Sequence, residues 1–415
     1  MSGKAGPLLS SSNGDIPPAA PHPRECPPTD ALIDRSIDLS KRDIRERESG
    51  EVTHENQAWS TSKKKTSKMH ALAATCALTD AVGAQHYVMQ LESLPGGGTL
   101  MASVSTGGMK LVHLAEGGQV VQGQVAEGFV EPVTDLHARA SLGDPHLFQC
   151  SSTDGFVRTW DTRAGGHPVE SYSSQHGRPV YSCDGDGTRV LGGVGDEIYL
   201  WDRRTRKTIK QFPDTHFMDV VQVRWSGPDA FISASEDGNI AVFDLSQVIC
   251  EEDSFVGAVS INSMRRMGLF GQDNERLWCA SNTETLHWWD WRAACDEAPG
   301  AGTGAAEAPN AREDTNAHYL IRCHQDRAGM VVCMSGTADG QMMMYECHDQ
   351  GGVIHFGSAP LSVLTGGHQG VVRDALVLPD GTVASAAEDG RICLWTACTD
   401  LATVSLGKNS RYSPY

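Results

Sequence analysis

The sequence predicts an all-β chain in which one four-stranded unit recurs seven times behind a disordered N-terminal tail. Three observations predict it. First, a short segment ending in an aromatic residue and an acid recurs: GFVRTWD (Gly155–Asp161), DEIYLWD (Asp196–Asp202), GNIAVFD (Gly238–Asp244) and ETLHWWD (Glu284–Asp290), with weaker copies GGMKLVH (Gly107–His113), GQMMMYE (Gly340–Glu346) and GRICLWT (Gly390–Thr396). The aligned positions are Val112, Trp160, Trp201, Phe243, Trp289, Tyr345 and Trp395, spaced by 48, 41, 42, 46, 56 and 50 residues. A period of about 40–45 residues is that of one four-stranded propeller blade. Second, Asp154–Gly155, Asp237–Gly238, Asp339–Gly340 and Asp389–Gly390 precede that segment in one register, and an Asp-Gly pair tolerates the positive φ angles of a tight hairpin turn. Third, the 44 glycines among 415 residues suit a chain of many turns.

The elements follow in order. Residues 1–70 hold seven prolines between Pro7 and Pro28, then a dense mixed-charge stretch, SKRDIRERESGE. Such a segment cannot bury enough apolar surface to offset its ordering entropy and is expected to be disordered. Leu32, Ile33 and Ile37 fit one or two helical turns, serving as a short docking motif or an idle linker. Residues 71–83 read as a linker or a closing strand, and 84–407 as a seven-bladed β-propeller followed by a short tail, 408–415. Within each unit, strands alternate over a few residues, as in VTDLHARAS, HLFQCSS and FVRTWD. The widest spacing contains DEAPGAGTGAAEAPNARED (Asp296–Asp314), whose Ala/Gly/Pro content reads as a flexible loop leaving the ring. The last blade takes its outer strand from Leu401–Leu406 or from the stretch near Ala71–Leu78; both fit.

Charge sets limits on partners. The tail is nearly neutral, with 11 basic and 10 acidic residues, so the body holds 23 basic and 42 acidic ones. A body near −19 argues against direct nucleic-acid binding, which needs a basic face. There is no apolar run long enough to cross a membrane and no secretory leader, so a cytoplasmic or nuclear protein is expected. The 12 cysteines include no CxxC pair and read as reduced, buried thiols. Lys63–Lys65 with Lys68 reads as a nuclear-import signal or as a solvated hinge.

These residues carry a resemblance: the chain looks like a WD40-repeat β-propeller. In that family a His before the first strand, a Ser or Thr in the second, the turn Asp and the Trp form a hydrogen-bonded set. The resemblance implies such a set at His216, Ser235 and Asp237, with Phe243 in place of Trp. It implies a second at Ser152, Asp154 and Trp160, with Phe129 replacing His. A third comprises His368, Asp389 and Trp395, with Ala387 where Ser would sit. On this assignment no unit is complete. Asp161, Asp202, Asp244 and Asp290 fall on different blades and are expected to be structural.

No clustered catalytic or metal-binding constellation is apparent, and neither an enzyme nor a cofactor is expected. Three units end in Trp-Asp-x-Arg: Trp160–Arg163, Trp201–Arg204 and Trp289–Arg292. This resembles the box by which WD40 substrate receptors engage the adaptor of cullin–RING ubiquitin ligases, which makes Arg163, Arg204 and Arg292 candidate partner-binding residues. The same arginines equally serve to brace their own blades. Residues beside the hairpin turns, Thr153, Glu236, Ala338 and Glu388, are expected to share one face with Glu131, Arg178, Met218 and Gln369. The leading expectation is a non-enzymatic scaffold, a monomeric propeller within a larger complex, binding basic proteins such as those of ribosome assembly. The alternative is a ubiquitin-ligase substrate receptor.

Overall fold

Each repeat folds into one antiparallel sheet, and seven sheets make a β-propeller that is nearly all strand. The computed structural model describes residues 37–38 and 70–397, apart from 79–85, 115–119, 127–130, 139–141, 247–253, 293–303, 308–318, 326–328 and 351–352. These belong to one unit, Arg35–Tyr415. Blade 1 comprises Val88–Ser93, Thr99–Val104, Met109–Leu114 and Val120–Ala126. Blade 2 comprises Val133–His137, Leu147–Ser152, Phe156–Asp161 and Pro168–Ser173. Blade 3 is Val180–Gly185, Arg189–Val194, Glu197–Asp202 and Lys207–Phe212, and blade 4 is Val220–Trp225, Ala230–Ser235, Asn239–Asp244 and Phe255–Ser260. Blade 5 is Arg266–Phe270, Arg276–Ala280, Thr285–Asp290 and Gly304–Glu307. Blade 6 is Tyr319–Gln325, Val331–Gly336 and Met342–Gln350, the last flanked by Val353–Phe356 and Ser362–Leu364. Blade 7 is Val372–Val377, Val383–Ala387 and Arg391–Ala397, with His70–Ala77 outermost.

The ring is therefore closed from the N-terminal side. His70–Ala77 pairs antiparallel with Arg391–Ala397, His70 facing Ala397 and Ala77 facing Arg391. Leu78, fully buried, then packs among Val88, Leu91, Ile392 and Leu394, joining blade 7 to blade 1. Leu401–Leu406 lies outside the described residues. All seven aligned positions sit on third strands and are buried, so the repeat register holds around the ring.

Two expectations are corrected. Asp296–Asp314 is not wholly a loop: Gly304–Glu307 supplies the outer strand of blade 5, with Thr285 opposite Glu307 and Trp288 opposite Gly304. The open edge of a three-stranded sheet outweighs the coil preference of a Gly-Ala-Ala run. Ile37 is not helical either; Ile37–Asp38 pairs in parallel with Val259–Ser260 on the outer edge of blade 4. The rest of the tail and of the insertion lies outside the described residues.

Packing between blades is apolar. Trp160 joins Phe148 and Cys150 of its own blade to Met101, Met109 and Leu111 of blade 1. Phe243 stacks on Phe231 at 4.7 Å and meets Phe212 of blade 3 at 5.2 Å. We expect a chain lacking residues 1–69 to unfold within about 1 kcal/mol of the full chain. A chain lacking 1–79 should lose at least the ~2–5 kcal/mol associated with a single buried leucine. Urea unfolding of the two truncations checks this; equal midpoints would contradict closure by His70–Ala77.

Candidate functional site: the channel and the turn-bearing face

Six first strands carry a β-bulge at one register: the pairing slips between Val88 and Gln90, Val133 and Asp135, Val180 and Ser182, Val220 and Gln222, Leu320 and Arg322, and Val372 and Asp374. A bulge re-aims the side chain that follows it. Five of those side chains accept from the backbone of the next blade's first strand. Gln90 Oε1 accepts the Leu136 N–H at 3.1 Å, Asp135 Oδ2 that of Cys183 at 3.2 Å, and Ser182 Oγ that of Val223 at 3.1 Å. Gln222 accepts from Met267, and Asp374 Oδ2 takes the Leu91 N–H at 3.0 Å, closing the circle from blade 7 to blade 1. Where Arg322 occupies the position it cannot accept; the equivalent amide of blade 7, the Ala375 N–H, goes to Asp374 Oδ1 at 2.9 Å, and the Tyr319 hydroxyl takes the nearby Val372 N–H at 2.7 Å.

Ion pairs reinforce this relay. Arg224 of blade 4 reaches both oxygens of Asp135 of blade 2, at 2.8 and 3.2 Å, and Ser182 donates to the same carboxylate at 2.6 Å. Arg266 of blade 5 grips Asp374 of blade 7 with two bonds of 2.9 and 3.0 Å. Arg322 lies 3.5 Å from Asp374 and from Glu92 of blade 1. Burial alone would raise the Asp135 carboxyl, but Arg224, Gln90 and Ser182 outweigh it and hold the group below the usual carboxylate range. Asp374 behaves alike, with Arg266 and Arg322 overriding burial. Paired in this way, these buried charges are structural groups. This ring is absent from the sequence expectations, although Val-x-Gln, Val-x-Asp or Val-x-Ser recurs at the start of five units and signals it.

The His/Ser/Asp/Trp sets also need correction. In blade 7 the hydroxyl is Ser385, two residues before Ala387: it takes the Trp395 indole N–H at 2.8 Å and pairs with His368 Nε2 at 2.7 Å. His368 Nδ1 lies 3.3 Å from Asp389, so this unit is complete. In blade 4 the partner of His216 is Ser233, at 2.8 Å, rather than Ser235, which instead donates to the Met218 carbonyl. In blade 2 Cys150 holds the equivalent place and accepts the Trp160 indole N–H at 3.2 Å, while Ser152 donates to the carbonyls of Glu131 and Pro132. Residues two apart on a strand share a face, so a two-residue slip preserves the pattern and changes the partner. Gly192 stands at this place in blade 3, against the Trp201 ring, and Cys279 in blade 5, so those blades lack the hydroxyl.

The Asp-Gly turns all lie at one end of the sheets. Gly155, Gly238, Gly340 and Gly390 have φ of +87°, +86°, +86° and +74°, a region L side chains rarely adopt. A side chain at Gly155 or Gly340 would also meet the segment leading into the next blade, at Gly177 and His368. Asp154 and Asp389 accept the N–H two residues on, and Asp154 also binds Arg158 through both oxygens. Asp339 takes bonds from Thr337 and Gln341. On this face Glu236 is exposed, Arg178 bridges Asp196 and Glu197, and Glu388 is engaged by Arg373.

The turns after the third strands lie at the opposite end. Arg163 binds Asp161 at 2.8 Å and Asp144 at 2.6 Å, bracing its own blade. Arg292 lies over Trp291 with its guanidinium 5.1 Å from the ring centre. Arg204 is exposed beside Asp202, whose carboxylate accepts the Thr205 N–H at 2.6 Å. Asp244 accepts the Ser246 N–H at 2.8 Å, and Asp290 ends the third strand of blade 5. The three WDxR arginines thus differ in their engagement. Among the described residues no group of His, Cys, Asp or Glu is placed to hold a metal, and no helix is long and apolar enough to cross a membrane.

The family described as WD domain, G-beta repeat matches residues 358–396, the span that contains the complete His368–Ser385–Asp389–Trp395 set. The chain is a WD40-repeat β-propeller. This propeller is 26% identical over 359 residues to WD repeat-containing protein GTS1 of Arabidopsis thaliana, covering 79% of this chain and 89% of that one. It is 28% identical to the WD repeat-containing protein 89 homolog of Dictyostelium discoideum, covering 60% and 68%. It is 31% identical over 108 residues, 24% of this chain and 20% of the other, to U3 small nucleolar RNA-associated protein 15 of Saccharomyces cerevisiae. Among solved structures, the WD40 β-propeller domain of Doa1 superposes with a TM-score of 0.56 at 13% identity, covering 80% of this chain and 98% of that domain, a likeness of fold.

Burial pushes the His216 imidazole down to about 4, against the pull of Asp237, and pushes His368 down for the same reason. Both are neutral in the folded protein near pH 7, whereas an unfolded histidine titrates near ~6.5. Between the two values the unfolded chain binds more protons, so this contribution to stability is full above about pH 6.5 and falls as pH drops towards 4. Urea unfolding should show a loss of up to about 1.4 kcal/mol per pH unit from His216 across that window, with His368 acting in the same direction. A His216→Gln chain should show a shallower slope; an unchanged slope would contradict a neutral, buried His216.

Burial likewise raises the thiols of Cys150 and Cys393 to about 12. Those of Cys183 and Cys279 are driven up by burial too, and that of Cys333 by its contact with the Cys323 thiol and then by burial. Iodoacetamide at pH 7.5 should leave these five unlabelled in the native chain and modify them in 8 M urea, as read by peptide mass spectrometry.

Proposed function

We propose that this propeller is a non-enzymatic scaffold that gathers protein partners on the face carrying the Asp-Gly turns. WD40 propellers generally bind proteins. The observation that carries the reading is the channel: its buried charged and amide side chains are committed to holding neighbouring blades together, so the exposed turns are the chemistry offered to partners. The net charge of −18 over the chain favours basic proteins. Similarity to a U3 small nucleolar RNA-associated protein supports a ribosome-assembly setting, in the nucleus or cytoplasm. The engagement of Arg163 by Asp144 and Asp161 weighs against Arg163 as an adaptor contact and leaves the exposed Arg204 to carry the ubiquitin-ligase receptor reading.

Affinity purification of the full chain with quantitative mass spectrometry tests this reading. A stoichiometric basic protein is expected, retained by Arg163→Ala/Arg204→Ala. Its on-rate should fall steeply with salt as the Debye length contracts from about 10 Å at 0.1 M to about 3 Å at 1 M. A cullin adaptor that co-purifies and is lost in the double variant would replace the scaffold by the receptor reading.

A further inference from the structure

The segment leading into blade 4 is pinned more firmly than its exposure requires. His216 is buried and paired with Ser233 at 2.8 Å. The next residue, Phe217, donates its N–H to Asp237 Oδ2 at 3.0 Å, and the Met218 carbonyl accepts from Ser235 at 2.9 Å. Asp219 in turn accepts the Glu236 N–H at 3.0 Å. Yet this rigid cradle holds two apolar side chains out in solvent: Phe217 is 70% exposed and Met218 49%. Blade 7 builds the same cradle from His368, Ser385 and Asp389, with the Gln369 N–H on Asp389 at 2.9 Å, and there carries the polar Gln369 and Gly370. The fold therefore does not call for a Phe-Met pair at this position.

The surroundings are acidic. Asp214 and Glu236 are exposed, Asp219 and Asp237 flank the pair, and Asp196 and Glu197 stand on the adjoining turn of blade 3, where Gly195 accepts the Val220 N–H. Against these acids stands Arg178, already engaged by Asp196 and Glu197. A pinned backbone leaves less to order on binding, an aromatic side chain suits an interface centre, and an acidic rim selects sign.

We propose that Phe217 and Met218, within the rim of Asp214, Asp219, Glu236 and Asp196, form a docking site for a basic peptide segment that carries an apolar side chain between Lys or Arg residues. The proposal rests on the scaffold reading and names its contact point and partner class. Its probe is a display library of random 12-residue peptides panned on the full chain, with enriched peptides then measured by fluorescence anisotropy. Enriched sequences should place an aromatic or aliphatic residue within three positions of Lys or Arg. Their affinity should fall about 10–30-fold for Phe217→Ser, a truncation of the size typical of an interface anchor. It should also fall for Glu236→Lys, but not for Arg163→Ala on the opposite face. Both Phe217 and Glu236 are exposed, so the variants retain the core. No enrichment, a consensus lacking basic residues, or equal binding to Phe217→Ser would overturn the proposal. A stoichiometric cellular partner that binds wild type and Phe217→Ser alike rejects this site and leaves the scaffold; absence of any stoichiometric partner rejects the scaffold itself.

Discussion

The first strand of each blade has one edge bonded to its own sheet and one edge facing the channel, where no strand lies alongside. Backbone N–H groups there need an acceptor, because leaving one buried and unpaired costs about 1–3 kcal/mol. The rest of the ring depends on how this is met. A bulge turns the following side chain sideways, and Gln90, Asp135, Ser182, Gln222 and Asp374 each take the N–H of the next blade. Hydrogen bonding of this kind fixes the rotation of one blade against its neighbour, which apolar packing at Trp160 or Phe243 does not do by itself. Charge enters because Asp135 and Asp374, once buried, need countercharges, and Arg224 and Arg266 supply them from blades two positions away. Replacing one member of such a pair is expected to be far more disruptive than replacing both.

Much of this was legible in the sequence, for identifiable reasons. The seven-fold register could be read because Trp160, Trp201, Trp289 and Trp395 are large, and because the glycines of the Asp-Gly turns cannot be substituted without strain. The hydroxyl partners were misplaced by two residues because Ser233 and Ser235 lie on one face of a strand, and composition cannot say which of them a histidine meets. Gly304–Glu307 looked like a loop because its residues carry almost no strand preference; the open edge of blade 5, a tertiary feature, recruits them. The choice of His70–Ala77 as closing strand was undetermined because both terminal stretches are short and apolar. The channel relay was legible in principle, as an acceptor two residues after a valine in five units, yet each instance alone looks like an ordinary polar strand residue.

Function follows from the division of labour. Polar groups in the channel and the His368 and His216 sets are spent on rigidity, and the turns at either end are left to vary. On one end Arg163 folds back on its own acids; on the other the same architecture that holds Gln369 in blade 7 holds Phe217 in blade 4. A stiff frame with differing side chains at equivalent positions is how one repeat can serve many partners.

The measurement that tests the central claim most directly is native-state amide hydrogen exchange, resolved by residue, at Leu91, Leu136, Cys183, Val223 and Met267. These amides face the channel, with no strand alongside. If the relay holds the ring, they exchange as slowly as the ladder amides of the second and third strands, through global unfolding. Exchange as fast as that of exposed turn amides would show that the acceptor side chains do not engage them, and that blade packing alone sustains the propeller.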